Sequence, residues 1–534
     1  MDPKPAVLRL SPDPDLVKRF DMLMRARHVI IHVDSFEEER VGALLDHLAE
    51  RSNAARYDWV AHRGLCDVRG GDPVKDSLDP LACLRWITKV SSDAIFHLRG
   101  FGAQLTKDGA PSLLREVHHE LLNKRSVIVI TDEADIPKSI ENLVTHFELP
   151  PYSTTEYHQM VSAIIRDLRQ RSNIDVALTP EDVHALLEDL KGLSLFEVQK
   201  VVSEAVVEDR RLDAQDLIRI RQAKMRIIER SGILEYTPTG LQMSDVAGLE
   251  RLKSWVKKRA DSLKDPIAAR QFGIEPPRGL LLLGVQGCGK SLSAKAVATE
   301  LGMPLVRMDP SNLYNKFFGE SEKNLRRAIR LAESMAPVVL WIDELEKAFA
   351  SVSDGGNDGG VSNRLFGTFL TWLSDKKETV FVVATANDVS KLPPELVRKG
   401  RFDEIFFVDL PSKKARKEVF TLHIKKRGHD VNNVDLDLLA QASEGFSGSE
   451  IEQAVVASLY SAFHRGREVN PLKAQVKSSL DTQTILHELE NTIPLSRTMH
   501  EKIDGLRAWA AKRAIPADAD EPLEHHDNLA LGDG

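Results

Sequence analysis

Short apolar runs punctuate the chain, with longer amphipathic stretches between them. Residues 28–33, 94–98 and 126–130 read as strands separated by helical segments, which predicts an α/β unit on a parallel sheet. Residues 180–230 are helix-rich. Within them, 181–190 and 212–228 carry apolar positions at helical spacing, as a helical lid to that unit would. Residues 232–240, containing Tyr236-Thr237-Pro238-Thr239-Gly240, read as a linker. A second series then follows. Residues 278–283, 338–342 and 380–385 are apolar almost throughout, as strands covered on both faces are. Residues 291–301 read as a helix, and a later helix carries Leu325, Ala328, Ile329 and Ala332 on one face. Residues 486–511 read helical, and the acidic Ala/Gly/Asp-rich end from 516 reads as disordered. No apolar run approaches the roughly 20 residues needed to cross a bilayer.

Composition narrows the classes. At 534 residues, 42% hydrophobic and 28% charged, the chain is an ordinary globular mixture with room for several cores. Its three cysteines, Cys66, Cys83 and Cys288, are far apart and form no CxxC, which argues against a disulfide scaffold or a thiolate zinc site. A net charge of -8 argues against a nucleic-acid partner. The first residues lack the apolar core of a signal peptide, so a reducing, cytoplasmic setting is expected, with no membrane partner.

The densest chemistry lies in Gly284-Val285-Gln286-Gly287-Cys288-Gly289-Lys290-Ser291, which fits GxxxxGK[ST] between a strand and a helix. The glycines let backbone N–H groups turn toward phosphate oxygens, and the helix N-terminus adds positive potential. Lys290 would reach the terminal phosphates and Ser291 would ligate Mg²⁺. Cys288, beside that helix N-terminus, is either a reactive thiol or a small residue that fits there. The apolar strand 338–342 ends in Asp343-Glu344. Asp343 would hold Mg²⁺ through water, and Glu344 would polarise an attacking water. Asn387, closing the next strand, would orient that water, or else cap a turn. Arg398 and Arg401, beside Gly400, suit presentation to a phosphate on another subunit, or else are solvated.

These motifs resemble those of the AAA family of ATPases, from about Asp245 to about His464. The resemblance makes Gly284 to Ser291 the Walker A loop, Asp343-Glu344 the Walker B pair, Asn387 sensor 1, and Arg398 and Arg401 the arginine fingers. It sets Val246 and Ala247 of Asp245-Val246-Ala247-Gly248-Leu249 against adenine, with His423 nearby. It puts Gly448 and Ser449 at the lid's nucleotide contact, and makes Phe317 and Phe318 an aromatic pore loop; by their residues alone, the two phenylalanines would otherwise be packed under the lid. Glu346 stands where the family often has aspartate. The phrases around the phosphate loop, 340–344, 362–374 and 398–411 most resemble uncharacterised AAA-domain proteins of plastid genomes and cyanobacteria, so plastid stroma is the setting if the chain is plastid-encoded.

The first half reads as a copy of the second without its chemistry, or else as an unrelated α/β unit that shares its spacing. Val127-Ile128-Val129-Ile130 aligns with Val380-Phe381-Val382-Val383, and the same register brings Gly192 onto Gly445 and Glu197 onto Glu450. Where the phosphate loop would stand there is Asp34-Ser35-Phe36-Glu37-Glu38-Glu39-Arg40, whose carboxylates would repel a triphosphate. The fold expected is therefore a P-loop NTPase parallel-sheet domain with a small helical lid, preceded by a degenerate AAA-like α/β module with its own lid. Its divisions are 1–152 degenerate module, 153–231 first lid, 232–244 linker, 245–411 large ATPase subdomain, 412–515 small lid and C-terminal helices, and 516–534 tail. The basic residues Lys413, Lys414, Arg416, Lys417, Lys425, Lys426 and Arg427 read as solvated lid faces. The function expected is Mg²⁺-dependent ATP hydrolysis by a homo-oligomeric, hexamer-like ring that remodels a protein client. The alternatives are a slowly hydrolysing switch bound to a regulator and, last, a DNA-handling ATPase.

Overall fold

The computed structural model describes residues 11–134, 136–171, 174–207, 210–230, 232–313, 320–349, 359–398, 400–469 and 480–518. The chain divides into two compact units, Met1–Lys224 and Met225–Gly534.

The first unit is built on β1 (Ile30–Asp34), β2 (Ala55–Val60), β3 (Gly64–Asp67), β4 (Ala94–Arg99), β5 (Val127–Asp132) and β6 (Val144–Phe147). They form one six-stranded sheet in the order β3-β2-β4-β5-β1-β6, antiparallel only between β2 and β3. Strand β2 has no apolar run because Arg56 and Asp58 are both buried in it, paired with each other, while Arg99 holds the second oxygen of Asp58 at 2.6 Å. A short parallel pair, β7 (Asp175–Val176) and β8 (Arg211–Leu212), lies among the helices that follow.

The second unit carries β9 (Leu234–Thr237), β10 (Gly279–Gly284), β11 (Leu305–Met308), β12 (Val338–Ile342), β13 (Val380–Ala386), β14 (Glu404–Val408) and β15 (Ile515–Pro516). Their order is β15-β14-β10-β13-β12-β11-β9. Successive residues of a strand face opposite ways, so Leu281 and Leu283 of β10 enter one core while Leu280 and Leu282 enter the other. With the flanking strands β3, β9 and β15 set aside, both sheets place their first strand between their fourth and fifth. The fourth strands are β5 and β13, the two segments that align in sequence.

Three details of the structure bear on the expected divisions. The boundary between the units falls within the helix Ala214–Arg230, because Ile228 joins Ile233 and Leu234 in a core of the second unit. The stretch 232–244 holds β9, which pairs antiparallel with β11; Pro238 and Gly240 hide a strand whose Leu234 is fully buried. Pro516 lies in β15 and Ala517 is 1% exposed, so the sequence from 516 is ordered through Asp518; residues 519–534 lie outside the described residues.

Helices Lys413–Lys426, Leu436–Ala442, Gly448–Val469 and Thr482–Glu490 share a core of Phe420, Leu439, Phe446, Val455 and Ile485 and form the lid of the second unit. The helical pattern of 486–511 is broken by Pro494 into this last lid helix and, beyond a short turn, the helix His500–Ala510. Within the basic stretch, Arg416 is buried and donates to the carbonyls of Ala440 and Pro411 instead of facing solvent.

Candidate active site

A cavity of 860 Å³ in the second unit collects most of the residues singled out by the sequence. Val246, Ala247, Gln286, Gly287, Cys288, Gly289, Lys290, Ser291, Asp343, Glu344, Asn387, His423, Gly448 and Ser449 all line it. Gly284 and Val285 stand behind the wall, where their carbonyls accept from the Lys290 ammonium at 2.9 and 2.7 Å.

The loop follows β10 and is shaped by what its glycines avoid. A Cβ on Gly284, at φ 145°, would fall 2.0 Å from the carbonyl oxygen of Val408 in β14. A Cβ on Gly287, at φ 79°, would fall 2.2 Å from the Ser449 hydroxyl. Free of that obstacle, the Gly287 carbonyl accepts the Ser449 N–H at 3.0 Å, joining phosphate loop and lid.

Below the loop, the Asp343 carboxylate accepts the Ser291 hydroxyl at 3.1 Å and the Thr385 hydroxyl at 2.6 Å. Thr385 in turn accepts the Glu344 N–H at 3.0 Å. Glu344 has φ 52°, a left-handed backbone uncommon for a residue with a Cβ. That turn aims its carboxylate at Asn387, whose amide donates to it at 3.3 Å, and at Lys347, which pairs with its other oxygen. Hydroxyl and carboxylate oxygens converging beneath a loop of backbone amides are a donor set suited to Mg²⁺ with a phosphate chain.

Glu346, to which sequence assigned no chemistry, is buried and accepts the Asn387 N–H at 2.9 Å. Its second oxygen is buried with no hydrogen-bond partner among the described residues, and burial raises its carboxyl above the usual range. Thr385 was also missed, although the two-residue period of a strand sets it on the same face as Asn387.

Burial has the largest influence on three other groups. The Cys288 thiol is pushed up to about 12, so packing outweighs the helix terminus and a reactive thiolate is not favoured. His423 is lowered, and Arg427 bridges its Nδ1 at 3.2 Å to Glu452 at 2.8 Å. Lys290 is lowered to about 8 from 10.5. Below about 8 the lysine is charged and ready for phosphate, and above it the charge must be regained on binding. ATP affinity should therefore be flat to about pH 8 and fall about tenfold per unit beyond, as titration of a fluorescent nucleotide from pH 7 to 9.5 would show. The sign for stability is the opposite. Between about 8 and 10.5 only the unfolded lysine keeps its proton, so this group's contribution to stability rises with pH in that window.

The structure does not bring Arg398 or Arg401 to the cavity. Arg398 is exposed. Arg401 donates to the Leu370 carbonyl at 2.9 Å and to the Ser374 hydroxyl, anchoring it to the helix Gly359–Asp375. Phe317 and Phe318 lie outside the described residues. Lys425 and Lys426 line the cavity, although the sequence reading placed them on solvated faces.

At the corresponding strand-to-helix junction of the first unit, side chains of the chain itself pair with one another. Three residues, Ser35, Phe36 and Glu37, join β1 to the helix Glu38–Ser52. Arg40 in that helix donates to Glu37 at 3.2 Å, to the Pro150 carbonyl at 2.7 Å and to both Glu156 oxygens at 3.4 Å, and its guanidinium lies 3.8 Å from the centre of the Tyr152 ring. Glu156 is buried and the Arg40 side chain is only 8% exposed, and Glu156 belongs to the helix Thr154–Arg171 that follows the sheet. Removing one partner of a buried pair strands the other, so Arg40→Ala should cost about 3 kcal/mol. Chemical denaturation of the full chain would show it, and Arg40→Met with Glu156→Leu should recover most of the loss.

Four stretches of the chain match described families. Residues 280–410 match the ATPase family associated with various cellular activities (AAA), and 433–475 match the AAA+ lid domain. Residues 16–149 and 155–231 match the N-terminal and second domains of SpoVK-like AAA ATPases. The chain is 35% identical to the AAA domain-containing protein ycf46 of Guillardia theta, over 93% of this chain and 96% of that protein. It is 36% identical to ycf46 of Trieres chinensis, over 92% and 96%. Over 48% of its length it is 33% identical to a proteasome-activating nucleotidase of Saccharolobus islandicus, covering 66% of that protein.

Proposed function

The chain belongs to the family of AAA domain-containing proteins that includes ycf46, and from that premise we propose that its second unit hydrolyses ATP to ADP and phosphate and uses the cycle to remodel a protein client. One observation carries the chemistry: Ser291, Asp343 and Thr385 are joined by hydrogen bonds in the same cavity wall as the Asn387–Glu344 pair. Ser291 and Asp343 would hold Mg²⁺, which would offset the charge of the phosphates. Lys290 leaves the loop carbonyls for the terminal phosphates. Glu344 and Asn387 place a water in line with the γ-phosphorus, and Glu344 takes its proton. Glu346 sets the Asn387 backbone and through it the amide that meets Glu344. Adenine lies between residues 245–249 and the lid residues Val419 and His423.

The subunits would assemble as a ring, Arg398 of one completing the site of the next. Likeness over about half of the chain to proteasome-activating nucleotidases supports a protein, and not a nucleic acid, as the client. Phosphate release by the purified chain tests the reading. Turnover on the order of 1 s⁻¹ that stops on chelation of Mg²⁺ is expected. ATP left intact in the presence of Mg²⁺ would overturn it.

A further inference from the structure

The C-terminal segment returns to the wall of the nucleotide cavity. The helix His500–Ala510 packs Leu506 and Ala510 against Phe407, and the chain then runs into β15 alongside β14. Beyond it, the Ala517 N–H donates to the Phe407 carbonyl at 2.8 Å. The Ala517 carbonyl accepts the N–H groups of Arg251 and Leu252 at 3.1 and 3.2 Å. These amides open the helix Glu250–Lys264, whose N-cap residue Leu249 supplies no side-chain hydrogen bond. A backbone carbonyl from the far end of the chain thus satisfies donors that a capping side chain would otherwise take.

Asp518 continues this segment and lines the same cavity as the phosphate loop. A Cβ on Gly248, at φ 61°, would fall 2.8 Å from an Asp518 carboxylate oxygen and 3.0 Å from the Cβ of Ala415. The Gly248 N–H donates to Glu418 in the lid at 2.8 Å. Gly248 is therefore where the loop 245–249, the lid and the C-terminal segment meet.

We infer that residues 515–518 form part of the nucleotide site, holding the loop 245–249 in the shape that receives the base of a purine nucleoside triphosphate, so that nucleotide binding and docking of the C-terminal segment stabilise one another. The inference rests on the nucleotide reading of the cavity. Linkage makes it reciprocal: whatever affinity the segment adds for nucleotide, nucleotide adds for the docked segment.

Three full-length or truncated proteins test it, with Mg²⁺-free ADP as the probe. A chain ending at Asp518 should bind ADP as the full chain does. A chain ending at Ala514 should bind about 10- to 100-fold more weakly, the span of an ordinary coupling between sites. Full-length Ala517→Asp, which forces a carboxylate into a buried place, should match the shorter truncation and separates lost docking from lost mass. Carboxypeptidase should be slowed by ADP at 515–518. Equal affinity in all three proteins, or digestion of 515–518 indifferent to ADP, would overturn the inference. Failure of the full chain itself to bind ADP would overturn the nucleotide reading, and this inference with it.

Discussion

Glu344→Gln should bind ATP as tightly as the native chain and cleave it about 10³-fold more slowly, within the range a positioned general base supplies. The substitution keeps the shape of the side chain and an oxygen to accept from the Asn387 amide, now 3.3 Å from the native carboxylate. It removes only the capacity to take a proton. Little is lost from the fold, because its ionic partner among the described residues, Lys347, is mostly exposed and returns to water. The left-handed backbone of Glu344 is anchored by Thr385 and does not depend on the side chain. Single-turnover phosphate release, set beside equilibrium nucleotide binding, separates the two quantities. A cleavage rate within threefold of native would place the base elsewhere. The variant held in ATP would also be the bait of choice for a client, since a stalled cycle keeps its load.

Arg398→Ala should lower turnover by about 10³-fold, toward the lower end of what an arginine supplied from another subunit contributes. Arg398 is the better probe of the two because it is exposed, whereas replacing Arg401 would also free the carbonyl of Leu370 and the hydroxyl of Ser374. Mixing makes the test specific. Arg398→Ala subunits keep an intact Glu344, and Glu344→Gln subunits keep an intact Arg398. Each is inactive alone, yet a mixture creates sites in which both groups are present, and activity should return. A mixture as inactive as its components would mean that the site is not shared, and the ring would fall with it.

What the sequence revealed of this site is what lies close together along the chain. The loop from Gly284 to Ser291, the Asp343-Glu344 pair and Asn387 are each short motifs at strand ends, and a strand end has one address in a parallel sheet. The lid residues Gly448 and Ser449 were legible for the same reason, at the start of a helix. Glu346 was not, since its partner is the backbone of Asn387, on another strand. Strands β9 and β15 were hidden because an edge strand borrows its hydrogen bonds from one neighbour and needs few apolar residues; β15 contains a proline besides. In the first unit, an apolar run disclosed β5, but β2 escaped because its buried charges are compensated within the strand and from β4.

The grip of Glu37 and Glu156 on Arg40 has a further meaning. On the proposed reading the second unit receives a triphosphate between its loop and its lid, whereas in the first a guanidinium of its own chain joins the strand-to-helix turn to the helix after the sheet. Such a unit would carry no fuel gauge. A partner that recognised the first unit would register only that the protein is there, learning nothing of whether its engine is loaded or spent, and so could stay aboard through every stroke.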